Sequence, residues 1–181
     1  MKHYTRTLSL FLFISFAFTQ TQLGSDIDGE AAGDYFGTSV SMNSAGDRVA
    51  IGADYNDGTE EDAGHVRVYE YSNSSWTQVG SDIDGEAASD HSGGSVSMNS
   101  AGDRVAIGAV GNDGTGDGAG HVRIYEYSNS SWTQLGSDID GEAASDGSGR
   151  PVSINSAGDR VAIGAIWNDG TGTQAGHVQV Y

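Results

Sequence analysis

The sequence has no cysteine, 1 proline among 181 residues, and 8 basic side chains against 25 acidic ones. Without cysteine no disulfide can staple the fold, so stability must come from packing, with a metal ion as the remaining kind of cross-link. The scarcity of Lys and Arg leaves a formal net charge of −17. Such a surface repels phosphate backbones, which excludes nucleic acid as a partner. Long apolar runs are missing beyond residue 20, so nothing there reaches the ~18 residues that a membrane-spanning helix needs. Long helices are excluded as well, because glycine interrupts almost everything: there are 28 of them, about twice the usual share. The longest glycine-free run after residue 20, HVRVYEYSNSSWTQV from His65 to Val79, is β-branched and aromatic at its start and Ser/Asn-rich in its middle, which is strand-and-turn composition. The chain reads as all-β.

The N-terminus is a separate object. MKHYTR is basic, Leu8 to Ala17 is an apolar run, and Ser15 and Ala17 are small residues suitably placed for secretory cleavage. Residues 1–20 are therefore expected to be a signal peptide, and the product to be secreted or held at the cell surface, with no membrane insertion after cleavage. Loss of Lys2 and Arg6 would make that product more acidic still.

What is abundant is repetition. NSAGDRVAIGA occupies Asn43 to Ala53, Asn99 to Ala109 and Asn155 to Ala165, a spacing of 56 residues. Three units follow, 22–77, 78–133 and an incomplete 134–181. A period of this length points to propeller blades rather than a short-coil solenoid. Alternation and turn chemistry place four strands in each unit: A at Thr38–Asn43, B at Arg48–Ala53, C at His65–Tyr71 and D at Ser75–Ser81. SAGD and SNSS are tight turns joining A to B and C to D. The B-to-C and D-to-A links are long.

The stretch FGTSVSMNSAGDRVAIGAD, Phe36 to Asp54, resembles the FG-GAP repeat, the blade of integrin-type β-propellers. Phe36-Gly37 opens strand A and Gly52-Ala53 closes strand B, and the likeness recurs in all three units. The later units have Ser92-Gly93 and Ser148-Gly149 instead of Phe-Gly, while Asp54, Val110 and Ile166 stand where the motif has proline. The calcium loop that the resemblance would place between A and B is replaced by NSAGD, keeping only Asp47, Asp103 and Asp159. The resemblance therefore implies four-stranded antiparallel blades, about three of them in an open arc or incomplete propeller, and a non-enzymatic binding or adhesion role. It does not carry over the family's metal site.

In a meandering blade the A–B and C–D turns fall at one end and the D–A and B–C links at the other. Differences among the copies gather at the second end. Tyr35, His91 and Gly147 share one register, Phe36, Ser92 and Ser148 the next, and Tyr55, Gly111 and Trp167 a third. Tyr35, Phe36, Tyr55, His91 and Trp167 are therefore the candidate ligand-binding residues, for an extracellular protein or glycan. Aromatics packed on a neighbouring blade are the structural alternative.

Two acidic motifs recur. SDIDGE presents Asp26 and Asp28, Asp82 and Asp84, and Asp138 and Asp140; NDGT presents Asp57, Asp113 and Asp169. Alternate carboxylates ahead of a glycine turn can offer oxygens to calcium. Turn-forming Asx residues are the other reading of both motifs, and no cofactor is required by either.

His65, His121 and His177 begin strand C in each copy, and Arg48, Arg104 and Arg160 follow the turn aspartate, as repeated structural positions. No Ser-His-acid order, nucleophilic cysteine or zinc-protease spacing is present, so no catalytic residue is assigned. A secreted hydrolase using paired aspartates on the variable face, and a spacer in a larger surface protein, remain as alternative readings. Finally, the chain opens on a D-type segment, TQLGSDIDG, and its last strand is C-type, HVQVY. The favoured reading of this phase is a fragment of a longer array of such repeats; in the alternative, that segment clasps the last blade of another copy, and the open blade edges offer a route to self-association.

Overall fold

The computed structural model describes residues 21–181, so the expected signal peptide lies outside the described residues. Every regular element in that range is a β-strand. The first sheet holds β1 (Ser39–Met42), β2 (Arg48–Ala53), β3 (His65–Ser72), β4 (Ser75–Gln78) and β5 (Ile83–Asp84). The second holds β6 (Ser92–Met98), β7 (Arg104–Ala109), β8 (His121–Ser128), β9 (Ser131–Gln134) and β10 (Ile139–Asp140). The third holds β11 (Ser148–Ile154), β12 (Val161–Ala165) and β13 (His177–Val180). All ladders between named strands are antiparallel and follow chain order A-B-C-D. The fold is an incomplete β-propeller, as the sequence leads one to expect.

Two boundaries differ from the reading above. Strand D is not one run over Ser75–Ser81. β4 pairs with the far half of β3, Val79 N–H donates to Val68 O, and the chain rejoins β3 at Ile83–Asp84, opposite Val66 and His65. The first two sheets therefore extend past the repeat boundaries drawn at residues 77 and 133. Strand A, in turn, begins earlier in the later units, at Ser92 and Ser148, because a bulge between Ser92 and Ser95, and again between Ser148 and Val152, absorbs residues without register. Gly93, with φ of 90°, sits in that bulge, a conformation that a side chain would strain.

Alternation gives every sheet two faces, and successive sheets stack face to face. Ala50, Val66, Val68 and Ile83 of the first sheet pack on Met98, Val105 and Ile107 of the second. Ala106 and Val122 of the second pack on Val152, Ile154, Val161 and Ile163 of the third.

The repeated eleven residues build this stacking twice over. RVAIGA is the buried strand B, and NSAGD is a turn whose Asn43 Oδ1 accepts from the N–H groups of Asp47 and Arg48 while its Nδ2 donates to Asp47. Turns from successive units then bond to one another: Ser44 N–H donates to Ser100 O, Ser100 N–H to Ser156 O, and Arg48 and Arg104 reach Gly102 O and Gly158 O. Any change in this segment alters a blade and its contact with the next.

Candidate ligand cleft at the loop rim

The B–C loops and D–A links form one rim, and NDGT locks them together. Buried Asn56, Asn112 and Asn168 donate to Asp34, Asp90 and Asp146 across the two segments, at 2.8, 3.1 and 2.9 Å. The same amides accept from Gly58, Gly114 and Gly170 N–H. Asp57, Asp113 and Asp169 each accept an N–H from their own loop, at Asp62, Gly118 and Gln174. These are Asx turns that hold the frame.

On that frame the variable registers make a cleft. Tyr35 meets Tyr55 edge-on with ring centroids 5.2 Å apart, and Tyr55 meets His91 at 4.7 Å. The next two positions in the series are Gly111 and Gly147. A Cβ on Gly147 would lie 2.5 Å from the Trp167 ring, and one on Gly111 would meet Ser89 O at 2.1 Å. A space of about 770 Å³ is lined by Tyr55 and His91 from one end of the series, by Gly111, and by Trp167 from the other. Arg150 lines it too, its guanidinium 5.8 Å from the Trp167 ring centre. A neighbouring hollow of about 550 Å³ is bounded by Tyr35, Phe36 and Tyr55.

All five candidate residues therefore reach this rim, with Phe36 turned partly inward against Tyr69. Tyr35 and His91 hold φ of 52° and 55° where the third unit has Gly147 at 61°. Keeping a side chain there costs on the order of 1 kcal/mol. Arg150 escaped the sequence reading because it replaces Gly94 of the second unit, a position without regular periodicity. Asp54 also escaped it; its Oδ1 is buried with no hydrogen-bond partner among the described residues, while its carbonyl lies 3.1 Å from His91 Nδ1.

Residues 25–69 match the family model of the FG-GAP repeat. That segment is thus similar to one FG-GAP repeat. The match covers β1, β2 and most of β3, and the same strands recur one and two periods later. No curated protein matches the chain. Among solved structures it is similar to hydrazine synthase from Kuenenia stuttgartiensis, at 10% identity and a TM-score of 0.47, over 80% of this chain and 34% of that one. The chain thus spans about a third of the length of that structure.

Most of the SDIDGE carboxylates are engaged by other side chains. Asp82 accepts both Nε and Nη2 of Arg67 at 2.9 and 2.7 Å, and Glu30 pairs with the same guanidinium. Asp138 accepts from Gln134, and Glu86 holds Arg123. Glu30, His65 and Asp82 converge, as do Glu86, His121 and Asp138, and Arg67 and Arg123 contact carboxylates of these groups. Asp26 accepts from Gln22, and Asp26 and Asp28 border a small hollow beside Trp76. Asp84 and Asp140 sit in the short strands that rejoin strand C, pairing with His65 and His121.

The electrostatics follow from this. The Arg67 hydrogen bond holds the Asp82 carboxyl below the usual carboxylate range, whereas burial, and then the nearby Asp82 charge, pushes Asp84 up. Burial, followed by the neighbouring Arg67 and Arg123, lowers His65 and His121 below the ordinary 6.5. Both imidazoles are almost wholly enclosed, and their Nε2 atoms have no partner among the described residues.

Proposed function

We propose that this protein is a non-enzymatic extracellular binding module that takes a glycan in the cleft walled by Tyr55, His91, Trp167 and Arg150. One observation carries the reading: several positions at which the three copies differ, Tyr55, His91, Gly111 and Trp167, line one concavity, whereas the positions the copies share build its frame. The volume lies in the range of sites that enclose compact ligands. Aromatic faces with polar tips at its walls, and Asp54, Asp117 and Asp169 around it, suit a ligand whose apolar faces alternate with hydroxyl groups. Strain kept at Tyr35 and His91 points the same way, since sparsely populated backbone states cluster at ligand sites.

FG-GAP repeats occur in extracellular and cell-surface proteins. That agrees with export directed by residues 1–20, and among the described residues no helix is long and apolar enough to cross a membrane. The test is a glycan array with the wild-type chain and the Trp167→Ala variant. Saturable binding without turnover, lost in the variant, supports the module. Product release that disappears in Asp54→Asn would assign a hydrolase, and binding untouched by Trp167→Ala would remove the cleft from consideration.

A further inference from the structure

Charge, and not shape alone, sets the cleft apart. Its lining holds three carboxylates, Asp54, Asp117 and Asp169, against one guanidinium, Arg150. Elsewhere the arginines are matched to acids: Arg48, Arg67, Arg104 and Arg123 hold Glu70, Asp82, Glu126 and Glu86. Among the described residues none of the three cleft carboxylates has such a partner, and Arg150 lies over the Trp167 ring instead. An acidic hollow on a protein of formal charge −17 draws cations and turns anions away.

Asp54 is peculiar to the first copy. At its register the second and third copies have Val110 and Ile166, so the end of strand B folds equally well with an apolar side chain there. The Asp54 Oδ1 atom is enclosed without a hydrogen-bond partner among the described residues. An enclosed, unpaired charge costs free energy, whereas Arg150 is exposed and keeps its hydration. The unmet need in the cleft is therefore for a cation rather than an anion. Oδ2, the oxygen not enclosed, lies 3.7 Å from where a Cβ on Gly94 would stand, and Gly94 and Asp54 both line the cleft.

The side chains beside Asp54 suit the remainder of such a ligand. His91 Nδ1 lies 3.1 Å from the Asp54 carbonyl, so that nitrogen carries the hydrogen and Nε2 of the neutral ring is an acceptor. Tyr55 packs on His91 with centroids 4.7 Å apart, and Tyr55 and Trp167 keep 41% and 39% of their surface open. An aromatic face attracts an ammonium group as well as the apolar face of a sugar ring.

We propose that the cleft selects an amino sugar whose amine is free, with the ammonium group on the Asp54 carboxylate and the sugar ring against Tyr55 or Trp167. The inference rests on the glycan reading above and adds the charge that the glycan carries. N-acetylation removes the cation and leaves Asp54 unpaired, so the acetylated form of the same sugar is rejected. Asp54 thus determines specificity and is kept at the expense of stability.

Chitosan and chitin oligosaccharides of equal length are matched probes, since they differ in their acetyl groups alone. In calorimetric titration of the full chain, at a pH where the amine is charged, the chitosan oligomer should bind at least about tenfold tighter, as expected for one charge-assisted contact. Asp54→Asn keeps the shape and removes the charge, and should bring the two affinities together. Trp167→Ala should weaken both alike. Stability supplies an independent arm: Asp54→Val, which installs the residue of the second copy, should raise the denaturant midpoint. A fall in that midpoint would make Asp54 a structural residue and overturn the proposal. A preference for chitosan that survives Asp54→Asn would also overturn it, since the polycation would then merely adhere to an acidic surface. Equal affinity for the two oligomers, lost in Trp167→Ala, would keep the cleft as a glycan site and remove the amine. Binding of neither oligomer, with other sugars bound on the glycan array, overturns the proposal alone, whereas a blank array takes the glycan reading with it.

Discussion

At the scale of single residues, the turn asparagine carries more than its position in a loop suggests. Asn99 is buried, its Oδ1 accepts from Gly102, Asp103 and Arg104 N–H, and its Nδ2 donates to Asp103. Asn99→Ala leaves those donors without partners at a site closed by neighbouring blades. It should lower unfolding stability by about 2–3 kcal/mol, read from the denaturant midpoint. Asn155→Ala removes the same kind of bonds from a turn that water can reach, so its cost should be about half that or less.

The buried histidines set a pH dependence whose sign can be worked out. His65 and His121 have folded pKa values below 6.5, mainly through burial, so in the window beneath 6.5 the unfolded chain binds protons that the folded chain refuses. Their contribution is complete above 6.5 and is lost as pH falls through that window. Asp82, lowered by Arg67, adds a second loss that begins only below the ordinary carboxylate value of 3.8. Melting temperature should therefore fall on acidification in two stages, and the His65→Gln/His121→Gln double variant should flatten the upper stage only. The sequence showed the histidines as repeated strand-C starts. Their enclosure depends on the arginines and carboxylates gathered from two blades, which no single unit reveals.

At the scale of elements, strands A, B and C were legible because each alternates or runs apolar between glycine turns, and two-residue hairpins at Asn73-Ser74 and Asn129-Ser130, all four residues at positive φ, close the C–D pairs. Strand D was half legible. Its β4 part alternates, but β5 is the two-residue Ile83–Asp84, too short for any period to register. The cleft was legible as a set of variable registers, though its volume was not, since it depends on how Tyr55, His91, Arg150 and Trp167 from successive units come together. Glycines of strand B show why the sheets approach so closely. A Cβ on Gly108 would stand 2.1 Å from Gly149 O in the next blade, so Gly108→Ala must push two sheets apart, at a cost of about 1–3 kcal/mol in unfolding stability. Gly172, with open space around it, provides the control: Gly172→Ala should stay within about 0.5 kcal/mol of wild type by the same denaturant measurement.

At the scale of the whole molecule, a stack of similar sheets distributes stability by neighbours. Each sheet gains its own ladder and one interface term for every face it covers. The middle sheet is covered on both faces: Val105, Ala106, Ile107 and Ala109 of β7 are all but inaccessible, and Val122 of β8 wholly so. The outer sheets each leave one apolar face to water, at Val40 and Met42 on one side and at Val178 and Val180 on the other. Opening β1 or β13 costs one interface, whereas opening β7 costs two. Amide hydrogen exchange should therefore rank β7 and the paired half of β8 slowest, β2 and β12 intermediate, and β1 and β13 fastest.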